Sequence, residues 1–405
     1  MKIINDKYEV KVLLNNPNNE VKNKYFDEQN SKSVRDFHSK FNEYKPTPLV
    51  SLDGLANKMN VSKILVKDES KRFDLNAFKV LGGAYAIAKL ICKELRIDID
   101  VVDFEYLKST EVKEKLGDIT FVTATDGNHG RGIAWAAKEL SQKAVVYMPR
   151  GSARKRIKAI EKLGAEVIVT NLNYDDAVRL ALEESEKHGW YMVQDTAWDG
   201  YEEIPRWIMQ GYMTMANEVV EQMENMKIER PTHVILQAGV GAMAGAVLGY
   251  LSNVYEDVPK AIIVEPTEAA CLYKSAEVND GKIHNVDGDL LTIMAGLACG
   301  EPNPLGWSVL NEHASAFVTC GDYISANGMR ILSAPVDGDE RIVSGESGAV
   351  GIGLLNLLSS DDLSHEREAL KIDEKSVVLL FSTEGDTDSE NYMRTIWEGK
   401  NSLVS

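Results

Sequence analysis

From Thr47-Pro48-Leu49 onward the chain alternates strand-like with helix-like runs, and that alternation limits the fold more than any other feature. The strand-like runs fall at 63–68, 119–125, 143–148, 166–170, 191–195, 233–238, 261–265, 315–320 and 376–382. Helices are expected between most of them, at 77–95, 129–141, 152–164, 175–188, 205–225, 243–253 and 348–359. In 152–164, Ile157, Ile160 and Leu163 form an apolar stripe opposite Arg154, Lys155, Lys158 and Lys162. Strands separated by helices are joined by crossovers, so the expected class is α/β, with parallel-rich sheets covered by helices. A chain of 405 residues exceeds what one core usually holds. Two domains are therefore expected: a larger one from 1–85 and 205–405, and a smaller inserted α/β unit at 86–204. Residues 1–45 are polar and Asn-rich apart from a short apolar piece at Val10–Leu14, and are expected to wrap a surface.

Charge narrows the partners. Forty-five Lys and Arg against 62 Asp and Glu give a net charge of −17, which argues against nucleic-acid backbones and anionic membranes. No apolar run approaches the roughly 20 residues of a spanning helix. The start, Met1-Lys2-Ile3-Ile4-Asn5-Asp6-Lys7, lacks the apolar region of a signal peptide. Cys92, Cys271, Cys299 and Cys320 have no CxxC spacing and suit a reducing, cytoplasmic setting, with a Cys271–Cys299 pairing left open. Clustered Cys/His ligands and an HExxH pattern are absent from the sequence, so no transition metal is expected.

Three turns carry chemistry. Asn76-Ala77-Phe78-Lys79 follows the run Lys63–Glu69 and precedes Gly82-Gly83 and a helix. Apolar neighbours disfavour the charged form of a lysine, and a neutral amine can condense with an aldehyde. Most lysines at such positions are merely solvated. Strand 233–238 runs into Gly239-Val240-Gly241-Ala242-Met243-Ala244-Gly245 and then a helix. Small residues there admit a phosphate to backbone amides. A dinucleotide turn, with Glu265 ending the next strand, and a plain tight strand–helix turn remain alternatives. The run 119–125 ends in Asp126-Gly127-Asn128-His129-Gly130. Those residues suit a helix-capping turn, and equally a loop whose amides and Thr125 hydroxyl hold a carboxylate.

Together, and in order, these motifs resemble the pyridoxal-phosphate enzymes of the tryptophan-synthase-β type, fold type II. Ser344-Gly345-Glu346-Ser347-Gly348 and Phe381–Asp388 resemble that group's two late motifs, so the likeness spans residues 47 to 388. It sets the dinucleotide reading aside. Within the group the chain resembles the diaminopropionate ammonia-lyases, through Leu75–Gly83, through Asp126, and through Gln194-Asp195-Thr196-Ala197-Trp198-Asp199-Gly200-Tyr201 with Ile204-Pro205 and Trp207–Tyr212. A serine or threonine dehydratase of the same fold is the alternative, and Asp126 and the Trp198–Tyr212 block count against it.

The resemblance implies elimination of ammonia from D- and L-2,3-diaminopropionate, giving pyruvate, with pyridoxal 5'-phosphate as cofactor and a homodimer as the assembly. It implies that Lys79 carries the cofactor and acts as base on one face of the substrate, with Asp126 on the other. Thr125, Asp126, Gly127, Asn128 and His129 would meet the substrate carboxylate, His129 as a local hydrogen-bonding residue. Asn128 would also lie near the cofactor's phenolic oxygen. Gly239, Val240, Gly241, Ala242, Met243 and Gly245 would hold the phosphate. Thr383, with Ser382 as second choice, would face the pyridine nitrogen, near the acids Glu384, Asp386 and Asp388. Glu346 would shape the site or order its loop. Asp195 would hold the β-ammonium, a turn or helix cap being its bland reading. Tyr174 would line the site, or simply start a helix.

Overall fold

The computed structural model describes residues 1–125, 127–336 and 338–403. Its strands are β1 (Lys2–Asn5), β2 (Val10–Leu14), β3 (Leu49–Ser51), β4 (Lys63–Asp68), β5 (Thr120–Ala124), β6 (Lys143–Met148), β7 (Glu166–Val169), β8 (Tyr191–Met192), β9 (His233–Gln237), β10 (Lys260–Pro266), β11 (Ala314–Cys320) and β12 (Val377–Ser382). They form two sheets. One has the order β1-β2-β11-β10-β9-β12-β4-β3, and the other β7-β6-β5-β8. In the larger sheet β11, β10, β9, β12 and β4 run parallel, with β2 and β3 antiparallel at the flanks. The smaller sheet is parallel throughout. This is the parallel-rich α/β architecture that the alternation implies.

The N-terminal segment differs from a surface wrapping. β1 and β2 pair with each other, and β2 extends the large sheet beside β11. The helix Glu28–Ser39 buries Ser31, Val34, Phe37 and His38. Val34 and Phe37 stand three residues apart, so one helical face reaches the core although the segment is polar on average. Residues 85 and 86, where the sequence suggests a boundary, both lie inside the helix Val80–Leu95.

That helix is packed at its start by backbone contact. A Cβ on Gly82 would lie 2.8 Å from Ile208 O, and one on Gly211 2.6 Å from Gly82 Cα, so only glycine lets Val80–Leu95 cross the helix Glu203–Asn225 this closely. The crossing sets where Lys79 stands. Beneath it, Lys67, Glu69, Arg72 and Glu218 form an ion cluster with no side-chain exposure. Arg72 donates to both carboxylates with four bonds of 2.8 Å, and Lys67 Nζ lies 2.6 Å from Glu218 Oε2. Two cations against two anions leave the cluster neutral, as burial demands. Burial would raise the Glu218 carboxyl, but Arg72 and Lys67 hold it well below the usual range. The cluster ties β4 and the turn leading to Lys79 to the long helix.

Candidate active site

The site forms where the C-terminal ends of parallel strands from both sheets converge, which is where open α/β sheets bind ligands. β4 leads to Lys79, β9 to the glycine loop, β12 to Thr383, β5 to Thr125 and β8 to Asp195. One cavity gathers these segments. Lys79, Thr125, Asn128 and His129 line it from one side, and Tyr174 and Asp195 stand beside them. Gly239, Val240, Gly241, Ala242, Met243 and Thr383 line the remainder. Gly127 and Gly245 are not part of the lining: a Cβ on Gly127 would meet Arg156 Cδ at 2.8 Å, and one on Gly245 would meet Gly306 Cα at 2.9 Å. Asp126 lies outside the described residues.

Lys79 sits at the N-terminus of Val80–Leu95. Asn76, three residues earlier, takes a positive φ of 56°, which asparagine tolerates better than most side chains. Its side chain donates to Asp386 Oδ1 at 3.1 Å, and its carbonyl accepts from Gly385 N at 3.0 Å. A Cβ on Gly132 would lie 2.9 Å from Val80 Cα, so the helix Asn128–Glu139 presses against the lysine turn. The Lys79 amine lies 5.7 Å from the centre of the Phe78 ring and is ion-paired with Asp195 Oδ2. Apolar neighbours alone therefore do not define its surroundings.

Asp195 is 2% exposed and caps no helix. Burial pushes its carboxyl up, yet the charges of Lys79 and His129 prevail and hold it at about 2. Asn303 Nδ2 donates to its carbonyl at 2.7 Å. His129 Nε2 bonds the Val193 carbonyl at 2.9 Å, a local role that also ties its helix to the Asp195 segment. Tyr174 opens the helix Tyr174–His188 and also lines the cavity. The Gly127 amide donates to Thr125 Oγ1 at 2.9 Å, closing the turn after β5.

The glycine loop leaves a helix end open. Gly241, at φ 90°, caps Ala242–Val254 without a side chain. The first bond of that helix runs from Gly245 N to Gly241 O at 2.9 Å, so the preceding amides are left for a ligand. A Cβ on Gly239 would stand 3.1 Å from Leu297 Cα and Cys299 Sγ. Glu265 is not turned toward a ribose. Its carboxylate accepts Leu272 N at 2.8 Å and Tyr273 N at 2.7 Å, in the helix Cys271–Val278. Cys271 and Cys299 are buried near the loop and no disulfide joins them.

At the far wall Gln237 Nε2 donates to Thr383 Oγ1 at 2.9 Å, and Thr383 Oγ1 donates to Glu384 Oε2 at 2.7 Å. Thr383 lines the cavity and Ser382 does not. Glu384 accepts Gly348 N at 2.8 Å, which joins the two late motifs, and burial raises its carboxyl. Glu346 faces a neighbouring groove, where it accepts from Asn391 Nδ2 at 2.5 Å and lies 3.8 Å from Arg156 Nη2. Gln194, Gln237 and the stretch Ala295–Leu297 were not singled out in the sequence; amides and small residues announce no chemistry there. Gln194 alone belonged to a quoted motif.

An open helix end, an amine and a hydroxyl on one cavity fit a phosphorylated aldehyde bearing a ring nitrogen, so the donor set suits pyridoxal phosphate. Among the described residues no group of three or more His, Cys, Asp or Glu could hold a metal ion, and no helix is long and apolar enough to cross a membrane.

Comparison with known proteins agrees. The model of the pyridoxal-phosphate dependent enzyme family matches residues 40–383. A diaminopropionate ammonia-lyase of Escherichia coli (strain K12) is 56% identical over 381 residues, 94% of each chain. The crystal structure of the Escherichia coli diaminopropionate ammonia-lyase in complex with D-serine matches with a TM-score of 0.92 at 52% identity, covering 98% of this chain and 99% of that one. The biosynthetic L-threonine dehydratase of Salmonella typhimurium is more distant, 25% identical over 325 residues, 80% of this chain and 54% of that one. The chain belongs to the pyridoxal-phosphate-dependent enzymes and, among them, to the diaminopropionate ammonia-lyases.

Proposed function

We infer that this chain converts 2,3-diaminopropionate and water to pyruvate and two molecules of ammonia, using pyridoxal 5'-phosphate. The observation that carries the reading is the pairing of Lys79 with buried Asp195 in a cavity that also holds an open helix end. When bound, the cofactor supplies an aldehyde that takes the substrate's α-amine and a ring that accepts the electron pair released at Cα.

The residues divide the work. The amides from Gly239 to Met243, at a helix N-terminus, hold the phosphate, and Gly245 keeps that end packed. Lys79 anchors the cofactor and takes the Cα proton of the L isomer. Asp126 takes it from the opposite face, for the D isomer. Thr125, Gly127 and Asn128 orient the substrate carboxylate, with His129 bracing the turn. Asn128 also meets the cofactor's phenolic oxygen. Thr383 faces the ring nitrogen, where its hydroxyl is shared with Gln237 and Glu384. Asp195 holds the β-ammonium, with Tyr174 beside it, so the departing nitrogen keeps its proton.

The smaller sheet belongs to a unit near 86–204 that carries the carboxylate loop and closes on the larger one. The assembly is a cytoplasmic homodimer, as the resemblance implies, and sedimentation tests the oligomeric state. Release of pyruvate and ammonia from each diaminopropionate isomer tests the reaction. Preferential turnover of serine or threonine would favour the dehydratase reading instead.

A further inference from the structure

Gln194 is buried at 0% exposure, and its amide has one orientation. The Ala124 amide can only donate, and it lies 3.1 Å from Gln194 Oε1, which also accepts from Thr123 Oγ1 at 2.7 Å. Nε2 therefore faces the other way, where it donates to Tyr174 Oη at 2.7 Å and to Asp195 Oδ1 at 3.3 Å. The tyrosine oxygen accepts that bond, so its own proton is directed elsewhere, and Asp195 Oδ1 lies 3.4 Å away. Oδ1 thus meets two donors while Oδ2 meets the Lys79 ammonium. A carboxyl oxygen surrounded by donors belongs to a carboxylate, since a carboxylic acid would need an acceptor for its proton. Turning the Gln194 amide over would set its oxygen against Asp195 Oδ1 and its NH2 against the Ala124 N–H, leaving two buried clashes of like polarity.

We propose that Gln194 is a positioning residue for specificity: it holds Asp195 so that Oδ2 is presented to a cation, and thereby selects substrates with an ammonium at Cβ over those with an uncharged substituent. The proposal rests on the reading of Asp195 as the β-ammonium receptor. Lys79 Nζ marks where an ammonium sits on Oδ2. Once Lys79 is engaged by the cofactor, that oxygen is open to the substrate's ammonium, while Gln194 and Tyr174 still hold Oδ1. Asn303, on the Asp195 carbonyl, keeps the backbone fixed during the exchange.

The test uses the holoenzyme and two substrates that both yield pyruvate, L-diaminopropionate and β-chloro-L-alanine, whose Cβ substituent carries no charge. Gln194→Glu keeps the bonds from Thr123 and Ala124 but sets a second carboxyl oxygen against Asp195 Oδ1. The expected result is a fall of about 30-fold in the ratio of kcat/KM values, diaminopropionate over chloroalanine, mostly through KM for diaminopropionate. Equal losses on both substrates, as a merely structural role requires, overturn the proposal. Asp195→Asn separates the two levels. If it leaves the ratio unchanged, the β-ammonium reading has failed; if it collapses the ratio while Gln194→Glu does not, only the role of Gln194 has failed. Should Gln194→Glu not fold, Gln194→Met removes the Nε2 donor to Oδ1 and must lower the same ratio by about threefold, an unchanged ratio again overturning the proposal.

Discussion

Lys79 and Asp195 are ion-paired across 116 residues of sequence, one following a strand of the eight-stranded sheet and the other a strand of the four-stranded sheet. The pair places an amine and a carboxylate from separate sheets in one cavity. In the proposed reading Lys79 serves two things that are measured separately, cofactor attachment and proton transfer.

Replacing Lys79 by Ala removes both. Addition of pyridoxal phosphate should give no absorbance band of the lysine-bound cofactor near the visible edge, and pyruvate formation should fall by about a thousandfold or more. A persisting band would place the covalent link on another residue.

Asp126→Asn should slow the D isomer by about a hundredfold while leaving the L isomer within a few fold, a loss typical of a missing general base. Pyruvate assays on each isomer read the difference. Equal losses would count against bases on opposite faces.

Much of this was legible in the sequence because it lies in short contiguous motifs. Asn76–Lys79, Thr125–His129 and Gly239–Gly245 are each a few contiguous residues long, so their candidacy is visible before folding. The alternation of runs likewise gave the sheet class. Three-dimensional partnerships were not visible. Nothing adjacent to Asp195 in sequence points to Lys79, and Gln194 reads as an ordinary amide until Thr123, Ala124 and Tyr174 surround it. The pairing of β1 and β2 was not legible because both are short and partly polar, and it takes β11 of the large sheet to complete it. The ion cluster at Arg72 escaped for a related reason: its charges look solvated one by one and are buried only as a set.

That cluster sets a stability expectation. Glu218→Gln leaves Lys67 and Arg72 facing Glu69 alone, so one buried positive charge is uncompensated. Removing one partner from such a group costs about 3–5 kcal/mol. Denaturant unfolding should register that loss, and a change near zero would mean that water reaches the cluster.

Asp175 gives a pH dependence. Burial, with the charge of Glu301, raises its carboxyl to about 6, although it accepts the Gly300 amide at 3.1 Å. A carboxyl raised on folding contributes stability that is complete below its unfolded value and is lost as pH rises through about 6. Asp175→Asn keeps an acceptor without the charge. Relative to the native chain it should gain about 1–2 kcal/mol above neutral pH, and the gain should vanish on acidification toward about pH 4. Thermal melts across pH would show this, and a pH-independent difference would assign the effect to packing.

The most direct measurement follows the near-ultraviolet and visible absorbance of the purified protein with pyridoxal phosphate while D- and then L-diaminopropionate is added and pyruvate is assayed. The expected result is a band near the visible edge that shifts on each addition, with pyruvate formed from both isomers. No band after cofactor addition, or a band with no pyruvate from either isomer, would contradict the assignment of this chain as a diaminopropionate ammonia-lyase.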